Sequence, residues 1–139
     1  MLKPIYQCKA IILAVLIAVS ATALTAKSDA IQQLINRQIA AFKADDFPLA
    51  FSFASPVIQD RFGTPEQFGQ MVRRGYPMVY RPSRVDFLDV IETPTRSIQR
   101  VMITDEAGVT FLLDYEMVQI SGEWRINGVM VVRLPEVNT

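Results

Sequence analysis

Two runs rich in strand formers, Val109 to Ile120 and Glu123 to Leu134, flank the dipeptide Ser121-Gly122. A two-residue turn there sets the pairing of the whole hairpin, because strand side chains alternate between faces with a period of two. The pairing predicts Gln119 opposite Trp124, Met117 opposite Ile126, Tyr115 opposite Gly128, Leu113 opposite Met130 and Phe111 opposite Val132 on a core face. The other face then carries Val118 opposite Arg125, Glu116 opposite Asn127, Asp114 opposite Val129 and Leu112 opposite Val131. An aromatic ring over a strand glycine, Tyr115 over Gly128, is a favourable local pair.

Two further strands precede this hairpin, Ser97 to Asp105 and Val85 to Glu92. A turn at Glu106-Ala107-Gly108 closed by the glycine pairs Asp105 with Val109. Ile103 then faces Phe111, Val101 faces Leu113 and Gln99 faces Tyr115 on the core side, while Arg100 faces Asp114 and Met102 faces Leu112 outside. A three-residue loop through Pro94 directs Val85, Phe87, Asp89 and Ile91 inward and Asp86 and Glu92 outward, which sets Asp89 beside Gln99.

Upstream the periodicity is helical. Ile31, Leu34, Ile35, Ile39 and Phe42 form one apolar stripe, with Asp29 and Gln32 as a capping pair and Asp45-Asp46 as the stop. Asp46 and Pro48 start a shorter helix carrying Phe47, Ala50, Phe51 and Ala54 until Ser55-Pro56 ends it. Val57, Ile58 and Phe62 predict a brief helical turn before Gly63. Thr64-Pro65-Glu66-Gln67 is a strong helix start, with Phe68, Met71 and Val72 inward and Gly75 placed for a left-handed stop. Residues 76–84 read as a link.

Lys3 and Lys9 precede an apolar run from Ala10 to Leu24 and small residues through Ala26, the order of a secretory signal peptide. Cleavage after Ala26 is preferred over Ala23 and leaves 27–139 as one domain. The rival is an uncleaved anchor in the inner membrane, but the uncharged stretch between Lys9 and Lys27 is at the lower limit of the roughly 17 to 25 residues that span a bilayer. An exported, periplasmic domain is therefore expected, with no membrane contact after cleavage. Removing Lys3 and Lys9 from a chain of 14 basic and 14 acidic residues leaves a formal charge of −2, with no like-charge block to attract nucleic acid. Cleavage also removes the single cysteine, Cys8, so packing alone must hold the domain together. Histidine is absent, which excludes imidazole chemistry and ordinary zinc sites, and no motif implies a metal or cofactor.

Helices followed by a four-stranded meander imply an α+β domain, three amino-terminal helices packed on one side of a curved antiparallel sheet. The pattern resembles the cone-shaped nuclear transport factor 2-like fold. It resembles more closely the bacterial family named domain of unknown function 4864, through Gln38-Ile39-Ala40-Ala41-Phe42, Asp45-Asp46, Ala54-Ser55-Pro56, Arg61-Phe62-Gly63, Phe68, Met71-Val72, Gly75-Tyr76 and Gly122-Glu123-Trp124-Arg125-Ile126-Asn127-Gly128. The resemblance implies a pocket between helices and sheet. It implies no catalytic residue, and the fold hosts isomerases, dehydratases and plain binding proteins alike.

One polar row interrupts the core face: Asp89, Gln99 and Tyr115 side by side at about 5 Å spacing. A carboxylate there is either a base with a raised pKa or a strand-end residue bonded to Gln99. Tyr76, Tyr80 and Arg81 lie in the link expected at the pocket rim, where they close over a ligand or simply pack. Asp45-Asp46 read as helix stop and cap, Asp114 and Glu116 as partners of Arg100 and Asn127, and Trp124 as core. The outer face carries Ile98, Met102, Leu112, Val118, Val129 and Val131, an apolar set suited to a homodimer contact. The expected function is binding of a small apolar ligand or of a protein in the cell envelope. The alternatives are an isomerase or dehydratase with Asp89 as base and a purely structural dimerisation module.

Overall fold

The computed structural model describes residues 5–132, with side chains described from residue 21 onward. The expected leader, residues 1–26, falls largely outside the residues described in full, as does the end of the last strand beyond Val132. The chain divides into two units, Met1–Ala30 and Ile31–Thr139. Helix α1 runs from Ile5 to Lys43, so Asp29 lies within it and does not cap it. The stretch before Asp29 is rich in Ala and Leu and contains neither Gly nor Pro, so nothing in it stops the helix from running through. Among the described residues no helix is long and apolar enough to cross a membrane.

The second unit is α+β. After α1 come α2 (Phe47–Ser52), α3 (Pro56–Phe62), α4 (Pro65–Gly75) and α5 (Pro77–Tyr80), then β1 (Pro82–Glu92), β2 (Ser97–Asp105), β3 (Thr110–Ile120) and β4 (Glu123–Val132). The strands form one antiparallel sheet in the order β1-β2-β3-β4. α3 is the brief helical turn expected before Gly63, while α5 is a short helix in the stretch read as a link. Each of α2, α3, α4 and α5 begins on a proline within its first two positions, where the missing N–H is no loss. Side chains cap three of them: Asp46 accepts from Leu49 N, Ser55 from Ile58 N and Thr64 from Gln67 N. Gly75 does not adopt the expected left-handed conformation. The N–H of Tyr76 bonds Val72 O at 2.9 Å, and Pro77 restarts the helix at once as α5.

Ile31, Ile35 and Phe42 of α1 meet Val101 and Ile103 of β2 and Leu113 and Met117 of β3 in the buried core. The middle hairpin has the expected register throughout, from Ile103 opposite Phe111 to Gln99 opposite Tyr115. Gly108, at φ 83°, closes its turn, and Asp105 N bonds Val109 O at 2.9 Å. The last hairpin turns on Ser121 and Gly122, both at positive φ, and keeps the expected pairs Gln119 with Trp124 and Met117 with Ile126.

Two bulges then change which side chains face the core. In β4 the extra residue is Asn127, beyond which Glu116 pairs with Gly128, Tyr115 with Val129 and Leu113 with Val131. Val129 and Val131 therefore leave the outer face for the inner side, and Met130, 69% exposed, takes an outward position. The expected pair of Tyr115 with Gly128 is replaced accordingly. In β1 the register slips between Phe87 and Val90 because the loop to β2 has four residues, Thr93 to Arg96, with Glu92 paired to Ser97. Val90, not Asp89, lies opposite Gln99, and Ile91 joins Ile98 on the outer side. The slip in β1 has a polar consequence. Burying the Asp89 carboxylate without a partner is costly, whereas the slip leaves it exposed and offers Leu88 O to the Gln99 amide at 2.9 Å.

The chain between α2 and α3 meets the far edge of β4 at Ile126. Ala54 forms a parallel bridge with Ile126, Ser55 N donates to Ile126 O at 2.8 Å, and Ile126 N donates to Phe53 O at 2.9 Å.

Candidate functional site

A cavity of about 190 Å³ opens between the helices and β4. Phe42 of α1, Phe62 of α3, and Phe68, Met71 and Val72 of α4 form its apolar walls, and Ile126 to Val129 of β4 form its floor. The walls exist because the inward stripes of α1 and α4 converge there: the Phe42 and Phe68 ring centres are 5.9 Å apart, and those of Phe62 and Phe68 are also 5.9 Å apart.

Four polar side chains reach this space: Gln38, Arg61, Tyr76 and Asn127. Three are engaged by the fold itself. Gln38 Nε2 donates to Ala50 O at 3.1 Å, and Tyr76 Oη donates to Val129 O at 2.9 Å. Asn127 accepts from Ser55 Oγ at 2.7 Å and donates to Glu116 Oε1 at 2.6 Å, which pins the bulge from both sides. No carboxylate lines the cavity among the described residues.

The expected row of Asp89, Gln99 and Tyr115 is only partly assembled. Gln99 and Tyr115 are paired across β2 and β3 and fully buried, while Asp89 is exposed. Its charge is felt at Arg100, whose guanidinium is held above its ordinary range by Asp114 first, by Asp89 to a lesser degree. A base that works from inside the cavity cannot be Asp89. Burial raises the Tyr115 phenol well above its ordinary value, with Tyr76 adding to the effect. Neither the Tyr115 hydroxyl nor Gln99 Oε1 has a hydrogen-bond partner among the described residues, and neither residue lines the cavity. Of the residues expected at the rim, Tyr76 is a wall of the cavity and Tyr80 is not.

Tyr80 belongs to a surface cluster around Asp45, which holds a left-handed φ of 54°. The Tyr80 hydroxyl donates to Asp45 Oδ1, as does Arg81 Nη2 at 3.1 Å, and Arg73 Nη2 lies 3.4 Å away. The Arg73 guanidinium lies 4.9 Å from the centre of the Phe47 ring, itself stacked on Tyr80. A methyl group on Gly69 would come within 2.6 Å of that ring, so this position of α4 needs a glycine.

On the outer face a shallow groove of about 200 Å³ lies among Ile98, Asp114, Glu116, Gly128, Val129 and Met130. Its two carboxylates are occupied: Arg100 makes a two-pronged pair with Asp114 at 2.8 and 2.9 Å, and Arg96 Nη1 reaches Glu116 at 2.8 Å. Ile98, Met102, Leu112 and Val118 are half-buried on this face, as expected.

Pattern reasoning missed Gln38, Arg61 and Asn127 as site residues. Gln38 carried a signal, since it is a polar residue at helical spacing from Ile31, Ile35 and Phe42 and so had to be buried. Arg61 carried none, because its place at the cavity depends on how α3 sits against β4.

No curated protein matches the chain. Among solved structures, the 1.8 Å structure of Aln2 from a Streptomyces species is similar, with a TM-score of 0.47 and 20% identity, covering 76% of this chain and 89% of that one. So slight a likeness carries no inference about ligand or reaction. The family comparison is firm: the description Domain of unknown function (DUF4864) matches residues 24–139, and the chain belongs to that family.

Proposed function

We propose that the domain is an exported binding module for a small, largely apolar ligand, held in the cavity between α1, α3, α4 and β4. The observation that carries this reading is the cavity itself, an aromatic-walled space with polar groups at its margin, the usual form of a small-molecule site. The enzyme alternative needed Asp89 as its base, and the exposed position of that carboxylate removes the support for it.

The test is native mass spectrometry of protein purified from its own envelope. A retained small molecule, on a chain shortened to begin near Lys27, supports the reading. In purified protein, indole binding followed by NMR should be lost in Met71→Trp, which fills the cavity from a half-buried wall position. Indole binding unchanged by Met71→Trp would place the ligand elsewhere and sink the proposal.

The outer face of the sheet supports a second reading, self-association. Its charges are paired within the chain, Arg100 with Asp114 and Arg84 with Asp86. What remains for a partner is Ile98, Met102, Leu112, Val118 and Met130, a neutral apolar stripe that a second copy complements under twofold symmetry.

A further inference from the structure

We infer that the cavity ligand is a monocarboxylate with a compact aromatic body, its carboxylate held by Arg61. The inference rests on the binding reading above and adds the chemical class. At the cavity, hydrogen-bonding capacity is unevenly used. The Gln38 and Asn127 amides each give one N–H, and the Tyr76 hydroxyl gives its O–H, to an internal acceptor. Arg61 alone among the polar lining residues has no hydrogen bond or ion pair within the described residues. It stands in the last turn of α3, exposed at the margin of a lining in which Phe, Met, Val and Ile predominate.

The chemistry of that arrangement is specific in sign and shape. A guanidinium presents paired donors in a plane and binds a carboxylate through two parallel hydrogen bonds. Among the described residues no carboxylate lines the cavity to compete for it. Water already solvates the exposed guanidinium, so a neutral polar end gains little there, whereas a carboxylate gains two charge-assisted hydrogen bonds. A dianion would bring more charge than the one guanidinium offsets.

Size narrows the class. An apolar cavity of about 150 Å³ holds one benzene-sized molecule. The cavity here, at about 190 Å³, has room for one ring and a short chain reaching the rim. The rings of Phe42, Phe62, Phe68 and Tyr76 favour an aromatic body, since ring pairs gain attraction beyond the area they bury.

The experiment compares 3-phenylpropionate with its neutral isostere 3-phenylpropionamide by calorimetric titration at pH 7, using the full chain and its Arg61→Gln and Met71→Trp variants. The acid should bind the parent about tenfold more tightly than the amide, and Arg61→Gln should erase that preference, the larger loss falling on the acid. Met71→Trp should abolish binding of both. Equal affinity for acid and amide in the parent, or a preference that survives Arg61→Gln, overturns the carboxylate assignment and leaves the cavity reading standing. No binding of either probe to the parent, or binding indifferent to Met71→Trp, overturns both. Arg61 is exposed and its replacement by Gln keeps helix propensity, so failure to fold is not a competing explanation.

Discussion

Asp45 concentrates several roles in one side chain. It ends α1, takes up a left-handed backbone that Asp and Asn tolerate better than most residues, and accepts hydrogen bonds from Tyr80, Arg81 and Arg73. The Tyr80 hydroxyl, followed by Arg81 and Arg73, holds its carboxyl below the ordinary value of 3.8, although burial pulls the other way. A carboxylate with a depressed folded-state pKa adds stability above its unfolded value and loses it as pH falls through the folded one. Asp45→Asn keeps the backbone preference and removes the charge. The urea midpoint of that variant should lie below the parent's at pH 7, and the gap should narrow as pH falls through the folded-state value. Equal midpoints at pH 7 would mean that the charge adds nothing to stability. Helix stop and cap were legible at Asp45-Asp46 from composition. The cluster was not, because Arg73, Tyr80 and Arg81 come from two later helices and their ends.

At the scale of elements, the sheet shows where pattern reading works and where it stops. The middle hairpin was legible in full because its turn is closed by Gly108 and both strands alternate without interruption. The last hairpin was legible up to Asn127 and wrong beyond it. Its bulge is held by Ser55 and Glu116, one of them 72 residues away in sequence, and no local propensity reports such a partner. The same is true of β1, where the Gln99 amide takes the carbonyl that the slip exposes. The Asn127 bulge also moved the candidate site, carrying Val129 into the cavity wall. Ser55 Oγ both caps α3 and donates to Asn127 Oδ1, so the two residues should be energetically coupled. Asn127→Ala and Ser55→Ala should each cost about 1 to 2 kcal/mol in urea unfolding. The double variant should cost about 1 kcal/mol less than the sum, through their shared bond. Strict additivity would show that the bulge is set by strand geometry and not by this contact.

For the whole molecule, fold class and layer order were legible because helical and alternating periodicities occupy separate halves of the chain. A pocket between helices and sheet was implied by the resemblance, but its volume and most of its lining were not legible, since they are what remains after the helices have packed, and packing is decided at the level of single methyl groups. The outer face bears on assembly. Leu112→Glu places a charge in the middle of the apolar stripe shared by Met102 and Ile98. In light scattering at micromolar concentration the parent should have the mass of two chains and Leu112→Glu the mass of one. A single-chain mass for both would end the self-association reading. The loop bridge at Ile126 has a separate consequence for how such a sheet ages. Folded copies that polymerise strand by strand need two free rims on every unit, and the stretch from Phe53 to Ser55 already sits on one of them. Another strand can therefore pair with β4 at Ile126 only once that stub has been displaced, while no such bridge sits on the β1 rim among the described residues.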